Sequence, residues 1–152
     1  MTESNPRVLL DVEDVCKWFP IKGWPFGSKR YVQAVNHVSF RLYEGETLGL
    51  VGESGCGKTT LARTVLRLIE PTQGSIQFDG VDLMAQNKRQ LRAMRKDMQI
   101  VFQDPYSSLH PRMTVRQIIE EPMRIRGLYT EPGAREARVK ELLQMVGLNE
   151  TH

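Results

Sequence analysis

The sequence of 152 residues predicts an α/β fold that opens with antiparallel strands and ends in helices. Three observations predict it. Segments near the start alternate apolar and polar residues, an apolar run leads through a glycine-rich loop into an amphipathic helix, and apolar residues after position 114 recur at helical spacing. The net charge of +3 and the 40% hydrophobic content are typical of a globular protein, and a charge this small does not by itself indicate a nucleic-acid partner.

Five segments are predicted as strands, and their patterns indicate how each is covered. They are residues 8–17, 38–42, 47–51, 75–78 and 98–102. Alternation over 38–42 predicts a half-buried antiparallel strand, whereas the mostly apolar run 47–51 predicts a strand covered on both faces. Asp79-Gly80 is a turn signal, and residues 20–30, rich in Gly, Pro and Lys, predict an exposed loop.

Four segments are predicted as helices. Leu61, Val65, Leu68 and Ile69 share one face of a helix over 58–69 that Pro71 stops. The others are a basic helix at 88–97, a helix from Val115 with a kink at Pro122, and a last helix from near Thr130 to a stop at Gly147.

A glycine-rich loop between 47–51 and the first helix fits the pattern G-x-x-x-x-G-K-[ST] at every fixed position. Its residues are Gly52, Glu53, Ser54, Gly55, Cys56, Gly57, Lys58 and Thr59. Glycines let successive backbone N–H groups curl around phosphate oxygens, and the helix N-terminus adds partial positive charge. Lys58 can reach the β- and γ-phosphates, and Thr59 offers a hydroxyl to Mg²⁺. The loop therefore predicts a nucleoside triphosphate site.

The form GESGCGKTT, which ends at Thr60, resembles the Walker A loop of ABC-type ATPases. The later segment IVFQDPYSSLHPR (100–112) resembles the Q-loop of the same family, although His110 stands where Asn is frequent. With VRQIIEEP (115–122), the chain resembles ATP-binding subunits of oligopeptide and dipeptide importers from about residue 8 to 150.

The resemblance implies further site residues. Gln103 matches the Q-loop glutamine, whose amide is expected to contact Mg²⁺ and the attacking water and to report the nucleotide state to the membrane subunits. Phe19 matches the aromatic residue that stacks on adenine, with Trp18 and Tyr31 as alternatives. ATP and Mg²⁺ are the implied ligands, and all of residues 52–60 are implied contacts of the nucleotide.

Two motifs of the family are missing from the 152 residues. The sequence contains no Gly-Gly pair, so it has no Leu-Ser-Gly-Gly-Gln signature, and no apolar strand ends in Asp-Glu as a Walker B motif would. The chain is therefore expected to be the N-terminal part of a longer ATPase and to bind ATP without turnover by itself. The alternative that Asp104 is a Walker B metal ligand is disfavoured because Gln103 interrupts the apolar strand.

The resemblance implies a P-loop NTPase of ABC type in three parts. They are an antiparallel β-subdomain with the strand that leads to the loop (1–51), a partial RecA-like core from P-loop to Q-loop (52–113) and the start of the helical subdomain (114–152). The implied activity of the complete protein is ATP hydrolysis that drives peptide import. The implied partners are an identical or homologous ATPase subunit and transmembrane permease subunits, with no nucleic acid, at the cytoplasmic face of the inner membrane as a peripheral subunit.

Two other functions stay open beside this one: a P-loop phosphotransferase and a nucleotide-binding module that does not hydrolyse. A basic cluster adds a further alternative, a contact with nucleic-acid phosphates, although a solvated helix face is the favoured interpretation. The cluster consists of Lys88, Arg89, Arg92, Arg95 and Lys96.

Overall fold

The computed structural model describes residues 6–21, 30–104 and 109–148. The chain divides between Gln99 and Ile100 into two compact units. The first unit contains strands β1 (Val8–Pro20), β2 (Tyr31–Tyr43), β3 (Gln73–Phe78) and β4 (Val81–Asp82) and helices α1 (Lys58–Val65) and α2 (Lys88–Met94). The second contains helices α3 (Val115–Ile125) and α4 (Ala134–Met145).

The four strands form one antiparallel sheet in the order β2-β1-β3-β4. The predicted antiparallel start is confirmed, but β1 and β2 are each 13 residues long and extend past the predicted 8–17 and 38–42. Pro20 pairs with Tyr31, so the predicted loop at 20–30 begins later than expected, and its residues 22–29 lie outside the described part.

The predicted turn at Asp79-Gly80 is confirmed, and a further glycine, Gly74, has a structural role within β3. Asp79 and Gly80 both have positive φ, at 51° and 74°, which suits the tight connection between β3 and β4. Gly74 has φ of 91°, and a Cβ there would lie 2.5 Å from the carbonyl oxygen of Asp14. Glycine at position 74 therefore lets β3 pass close to β1.

The core of the first unit lies between the sheet and the two helices. Buried side chains of the sheet meet those of α1, α2 and the segment after β4; they are Val12, Val15, Val35, Leu61, Val65, Ile76, Leu83 and Leu91. Burying a side chain of this size contributes about 1.5–3 kcal/mol relative to leaving it exposed. The core therefore fixes the start of α1, where the glycine-rich loop ends, against the sheet.

Helix α1 ends at Val65, earlier than the predicted residue 69. The backbone of Arg67 is left-handed with φ of 49°, which ends the helix before Pro71 is reached. As a result Leu68 is 46% exposed and is not the core residue that its spacing predicted. The guanidinium of Arg67 donates to the carbonyl oxygens of Leu83 and Gln86 and so ties the segment after β4 to this end of α1.

The predicted strands at 47–51 and 98–102 are wrong for this structure, because neither segment forms a strand. A strand needs neighbours for its backbone hydrogen bonds, and within the described residues the only sheet is the antiparallel one. Val51 and Val101 are accordingly 95% and 94% exposed. Both segments have the apolar composition of covered strands, but coverage by the described residues is only partial: Met98 packs against the core, whereas Val51 and Val101 face solvent.

In the second unit, α3 begins with a capping box in which the Thr114 hydroxyl accepts from the Gln117 N–H and the Gln117 side chain accepts from the Thr114 N–H. The helix continues past Pro122 to Ile125. Arg116 lies 2.7 Å from Glu120 and 3.4 Å from Glu136, so it links α3 to α4. The hydrogen bond to Glu120 raises the pKa of Arg116.

Helix α4 begins later than predicted and ends as predicted. Gly133, with φ of 77°, is its N-cap, so the start is four residues beyond Thr130. At the other end the N–H groups of Gly147 and Leu148 donate to the carbonyl oxygens of Gln144 and Leu143, which is a Schellman motif. Val139 on this helix is buried, whereas Val146, its C-cap, is 70% exposed.

The two cysteines form no disulfide; Cys16 is buried and Cys56 is exposed. Within the described ranges, the helices are all too short or too polar to cross a bilayer.

Candidate phosphate-binding site

The loop at 52–57 takes a shape that its glycines make possible. Gly55 and Gly57 have φ of 82° and 100°, a region that other residues enter only with strain. At Gly57 a Cβ would lie 2.1 Å from the carbonyl oxygen of Ala34, and at Gly52 it would lie 2.7 Å from the Cys56 sulfur. The loop therefore folds back on itself and against β2, and the contact with β2 leaves no room for a side chain at Gly57.

Helix α1 starts from this loop without a side-chain cap. Gly57 is the N-cap and has no side chain that could accept a hydrogen bond, and the first turn contains no acidic residue. The first intrahelical bond runs from the Leu61 N–H to the Gly57 carbonyl at 2.8 Å. The N–H groups before Leu61 are thus without an intrahelical acceptor, and together with the helix dipole they favour an anion.

The ammonium group of Lys58 lies over the loop. Its Nζ donates to the carbonyl oxygens of Gly52 at 2.8 Å and Glu53 at 2.6 Å, and it lies 3.6 Å from the Cys56 sulfur. Thr59, the next residue of α1, is exposed, and Thr60 is half-buried. The geometry thus places a positive charge at the centre of the loop, and the exposed Thr59 follows Lys58 in the sequence.

A pocket of about 370 Å³ opens between the loop and β2. Val35, Val51 and Leu61 form much of its wall, and Gln33 and Asn36 add amide groups. The apolar part of the wall offers phosphate no hydrogen bonds, so we expect the main anion contacts of this region to come from the loop itself. Sequence reasoning missed the role of β2, because no local pattern signals that the carbonyl of Ala34 packs against Gly57.

Phe19 lies near the end of β1, in the same unit as the loop. It pairs with Val32, which is two residues from Ala34 on β2. Since two residues of a strand cover about 7 Å and adjacent strands lie about 5 Å apart, the Phe19 backbone is about 8 Å from that of Ala34. Phe19 is 38% exposed, and Lys17 Nζ lies 5.1 Å from its ring centre.

The two alternative aromatic residues contact each other. The rings of Trp18 and Tyr31 have centroids 6.5 Å apart and are tilted by 54°. The indole Nε1 of Trp18 is buried without a partner among the described residues, whereas Tyr31 is 46% exposed. Phe19 and Tyr31 are thus both partly exposed, and each has one ring contact, Phe19 with Lys17 and Tyr31 with Trp18.

Gln103 and Asp104 belong to the second unit and lie in a segment that is neither helix nor strand. Residues 105–108 of the predicted Q-loop lie outside the described part. The predicted contacts of Gln103 with Mg²⁺ and water therefore stay a prediction, as does the disfavoured metal role of Asp104.

Cys56 gives a direct chemical probe of the loop, because it is exposed and the only other cysteine is buried. We expect a maleimide to label Cys56 readily and saturating Mg-ATP to slow the labelling at least tenfold, since bound phosphates would cover the loop. Labelling is measured by mass spectrometry, with Cys56→Ser as the unlabelled control. Equal rates with and without nucleotide would show that the thiol does not line the site.

The profile of the ABC transporter family matches residues 35–152, which include the loop, α1 and all of the second unit. The chain belongs to the ABC transporter family. The match covers well over half of the sequence, and the loop geometry described above lies inside it.

Two relatives illustrate the similarity of this ABC chain. It is 49% identical over 151 residues to the oligopeptide transport ATP-binding protein AppF of Bacillus subtilis, covering 98% of this chain and 46% of that protein. It is 43% identical over 151 residues to the oligopeptide transport ATP-binding protein OppF of Escherichia coli, covering 97% and 45%. The chain thus spans less than half the length of these curated relatives.

Solved structures agree with the fold. The dimeric ATP-binding cassette MJ0796, in a post-hydrolysis state bound to ADP and Pi, is similar with a TM-score of 0.73 and 25% identity over 94% of this chain and 59% of that one. Another dimeric structure of MJ0796, a bacterial ABC transporter cassette, has a TM-score of 0.74 at the same identity and coverage. The α/β fold of ABC type that the sequence predicted is therefore confirmed.

Proposed function

We propose that this chain binds Mg-ATP through the loop at 52–59 and that the whole protein uses ATP hydrolysis to drive peptide import. The observation that carries the proposal is the loop itself: a left-handed Gly57 held against β2, an uncapped helix N-terminus and the Lys58 ammonium centred over the loop carbonyls. Membership of the ABC transporter family supports ATP as the nucleotide.

In this proposal each part of the loop has a separate role. The amides of 52–57 and the start of α1 hold phosphate oxygens, and Lys58 exchanges the Gly52 and Glu53 carbonyls for the β- and γ-phosphates. The exposed Thr59 hydroxyl would be a ligand of Mg²⁺, and Gln103 would be another. A single hydroxyl fits this ion, since Mg²⁺ in nucleotide sites takes most of its ligands from water and phosphate.

Sequence similarity to known transport proteins supports the second part of the proposal, peptide import. Proteins named as oligopeptide transport ATP-binding proteins share 43–49% identity with nearly the whole chain. By analogy, the whole protein would pair with an identical or homologous ATPase and dock on permease subunits at the cytoplasmic face of the membrane. Because residues 1–152 contain neither a Gly-Gly signature nor a strand ending in Asp-Glu, we expect binding without turnover from these residues alone.

Phe19 provides a test of adenine recognition. We expect Phe19→Ala to weaken ATP binding by about 1–3 kcal/mol, the range for stacking of a base on an aromatic ring, and Phe19→Tyr to be nearly neutral. Calorimetry with Mg-ATP measures both, and Tyr31→Ala is the matched control because Tyr31 is similarly exposed. A loss in Tyr31→Ala without a loss in Phe19→Ala would assign the adenine contact to Tyr31.

Import is tested with the whole protein in a cell that depends on an oligopeptide for an essential amino acid. A gene with Lys58→Ala should fail to support growth on the peptide while growth on the free amino acid is unchanged. Lys96→Ala is the control, because Lys96 is exposed and, among the described residues, forms an ion pair with the neighbouring Asp97 alone, at 3.9 Å. Normal growth of the Lys58→Ala strain on the peptide would refute ATP-driven import by this protein.

A further inference from the structure

A second cluster of positive charge lies away from the glycine-rich loop, at the other end of α1. A cleft of about 600 Å³ separates this end from α2. Its charged lining consists of Arg67, Glu70, Lys88, Arg89, Arg92 and Arg95. The volume is within the range of sites for small molecules, and five of the six charges are positive.

The single carboxylate in the cleft is already engaged. Glu70 accepts from the Nε of Arg67 at 2.9 Å, and the other end of this guanidinium donates to the Gln86 carbonyl at 2.8 Å. Arg95 is also engaged in an interaction within the protein, so it is not counted among the unpaired cations. In contrast, Lys88, Arg89 and Arg92 are exposed and form no ion pair with any described residue.

The positions of these three cations on α2 destabilise that helix. Lys88 and Arg89 occupy the first turn of α2, which contains no acidic residue, so they oppose the helix dipole. Arg92 is four residues from Lys88 and three from Arg89, spacings at which like charges repel. A full capping box between Asn87 and Gln90 holds the helix in place despite this repulsion.

We propose that this cleft is a second anion site, which binds a compact soluble molecule with two or more phosphate groups. A multivalent anion between the two helices would neutralise the cations that nothing else in the described residues pairs with. The concave shape fits a compact ligand better than a flat bilayer surface, and Lys and Arg are the side chains that bind phosphate most strongly. The inference does not depend on the proposed transport function.

The test uses the whole protein with Lys58→Ala, so that the glycine-rich loop contributes little, and sodium tripolyphosphate as the probe in calorimetry. Adding Arg89→Gln and Arg92→Gln should weaken binding at least tenfold. Adding Arg138→Gln and Lys140→Gln removes the same charge from α4, where both cations pair with glutamates, and should change the affinity less than twofold. Rising salt should weaken the binding to the cleft.

Three further measurements make the outcome decisive. Circular dichroism and Mg-ATP binding, the latter with Lys58 intact, should be unchanged in the Arg89→Gln/Arg92→Gln protein, which separates this site from the nucleotide site. The single variant Lys88→Gln should show a smaller loss in the same direction. Absence of tripolyphosphate binding, equal losses in the two double variants, or binding only to vesicles of anionic phospholipid would each overturn the proposal.

Discussion

Replacing Gly57 by alanine should destabilise the first unit by about 2–5 kcal/mol and abolish detectable ATP binding. A left-handed conformation costs a residue with a Cβ about 1–2 kcal/mol, and forcing an extra carbon into a filled space costs about 1–3 kcal/mol more. Here the carbon would meet the Ala34 carbonyl at 2.1 Å, and backbone cannot move aside as a flexible side chain would. Urea denaturation and calorimetry with Mg-ATP measure the two effects.

Gly55→Ala is the matched control for this prediction. Gly55 has φ of 82°, but a Cβ there would have no atom within 4 Å. Only the strain of a left-handed backbone therefore applies at Gly55, without a steric clash, and we expect a loss of stability of about 1–2 kcal/mol. Equal losses at the two positions would mean that the contact between the loop and β2 does not constrain Gly57.

Lys58→Ala should weaken Mg-ATP binding by about 2–3 kcal/mol or more, which is roughly 30- to 150-fold, with little change in stability. Hydrogen bonds to charged groups contribute about 1.5–3 kcal/mol each, and the ammonium group provides up to three. The carbonyl oxygens that Lys58 now satisfies belong to the exposed residues Gly52 and Glu53, so water replaces the lost donor.

Lys96→Ala serves again as the control, with calorimetry for affinity and urea denaturation for stability. We expect it to change neither quantity by more than about 0.5 kcal/mol, as is usual for exposed positions. A similar loss of affinity in both variants would indicate a general effect of net charge. A large loss of stability in Lys58→Ala alone would indicate that the lysine has a structural role.

Features that depend on a few neighbouring residues were predictable from the sequence. The turn at Asp79-Gly80 and the stop at Gly147 follow from backbone preferences that act locally. The loop at 52–59 belongs to the same class, because its glycines, Lys58 and the following amphipathic helix are close in sequence. The predicted helix start at Lys58 is present, and Gly55 and Gly57 take the left-handed conformations that a tightly curled loop needs.

Features that depend on distant residues were not predictable. The apolar runs 47–51 and 98–102 have the composition of covered strands, but a strand forms only where another strand supplies hydrogen bonds. The left-handed backbone of Arg67, which ends α1 early, was likewise not signalled locally, and the guanidinium of this residue donates to acceptors 16 and 19 residues away. The packing of Ala34 against Gly57 is also set by β2 rather than by the loop sequence.

Binding of a nucleoside triphosphate in the glycine-rich loop is tested most directly by backbone amide chemical shifts, measured by NMR during a titration with Mg-ATP. Binding in the loop predicts that the largest changes occur at Gly55, Gly57, Lys58 and Thr59, whose N–H groups would meet phosphate oxygens. Mg-AMP, which has no β- or γ-phosphate, should cause much smaller changes at the same amides. Unchanged loop amides at saturating Mg-ATP, or changes of equal size with Mg-AMP, would contradict the account.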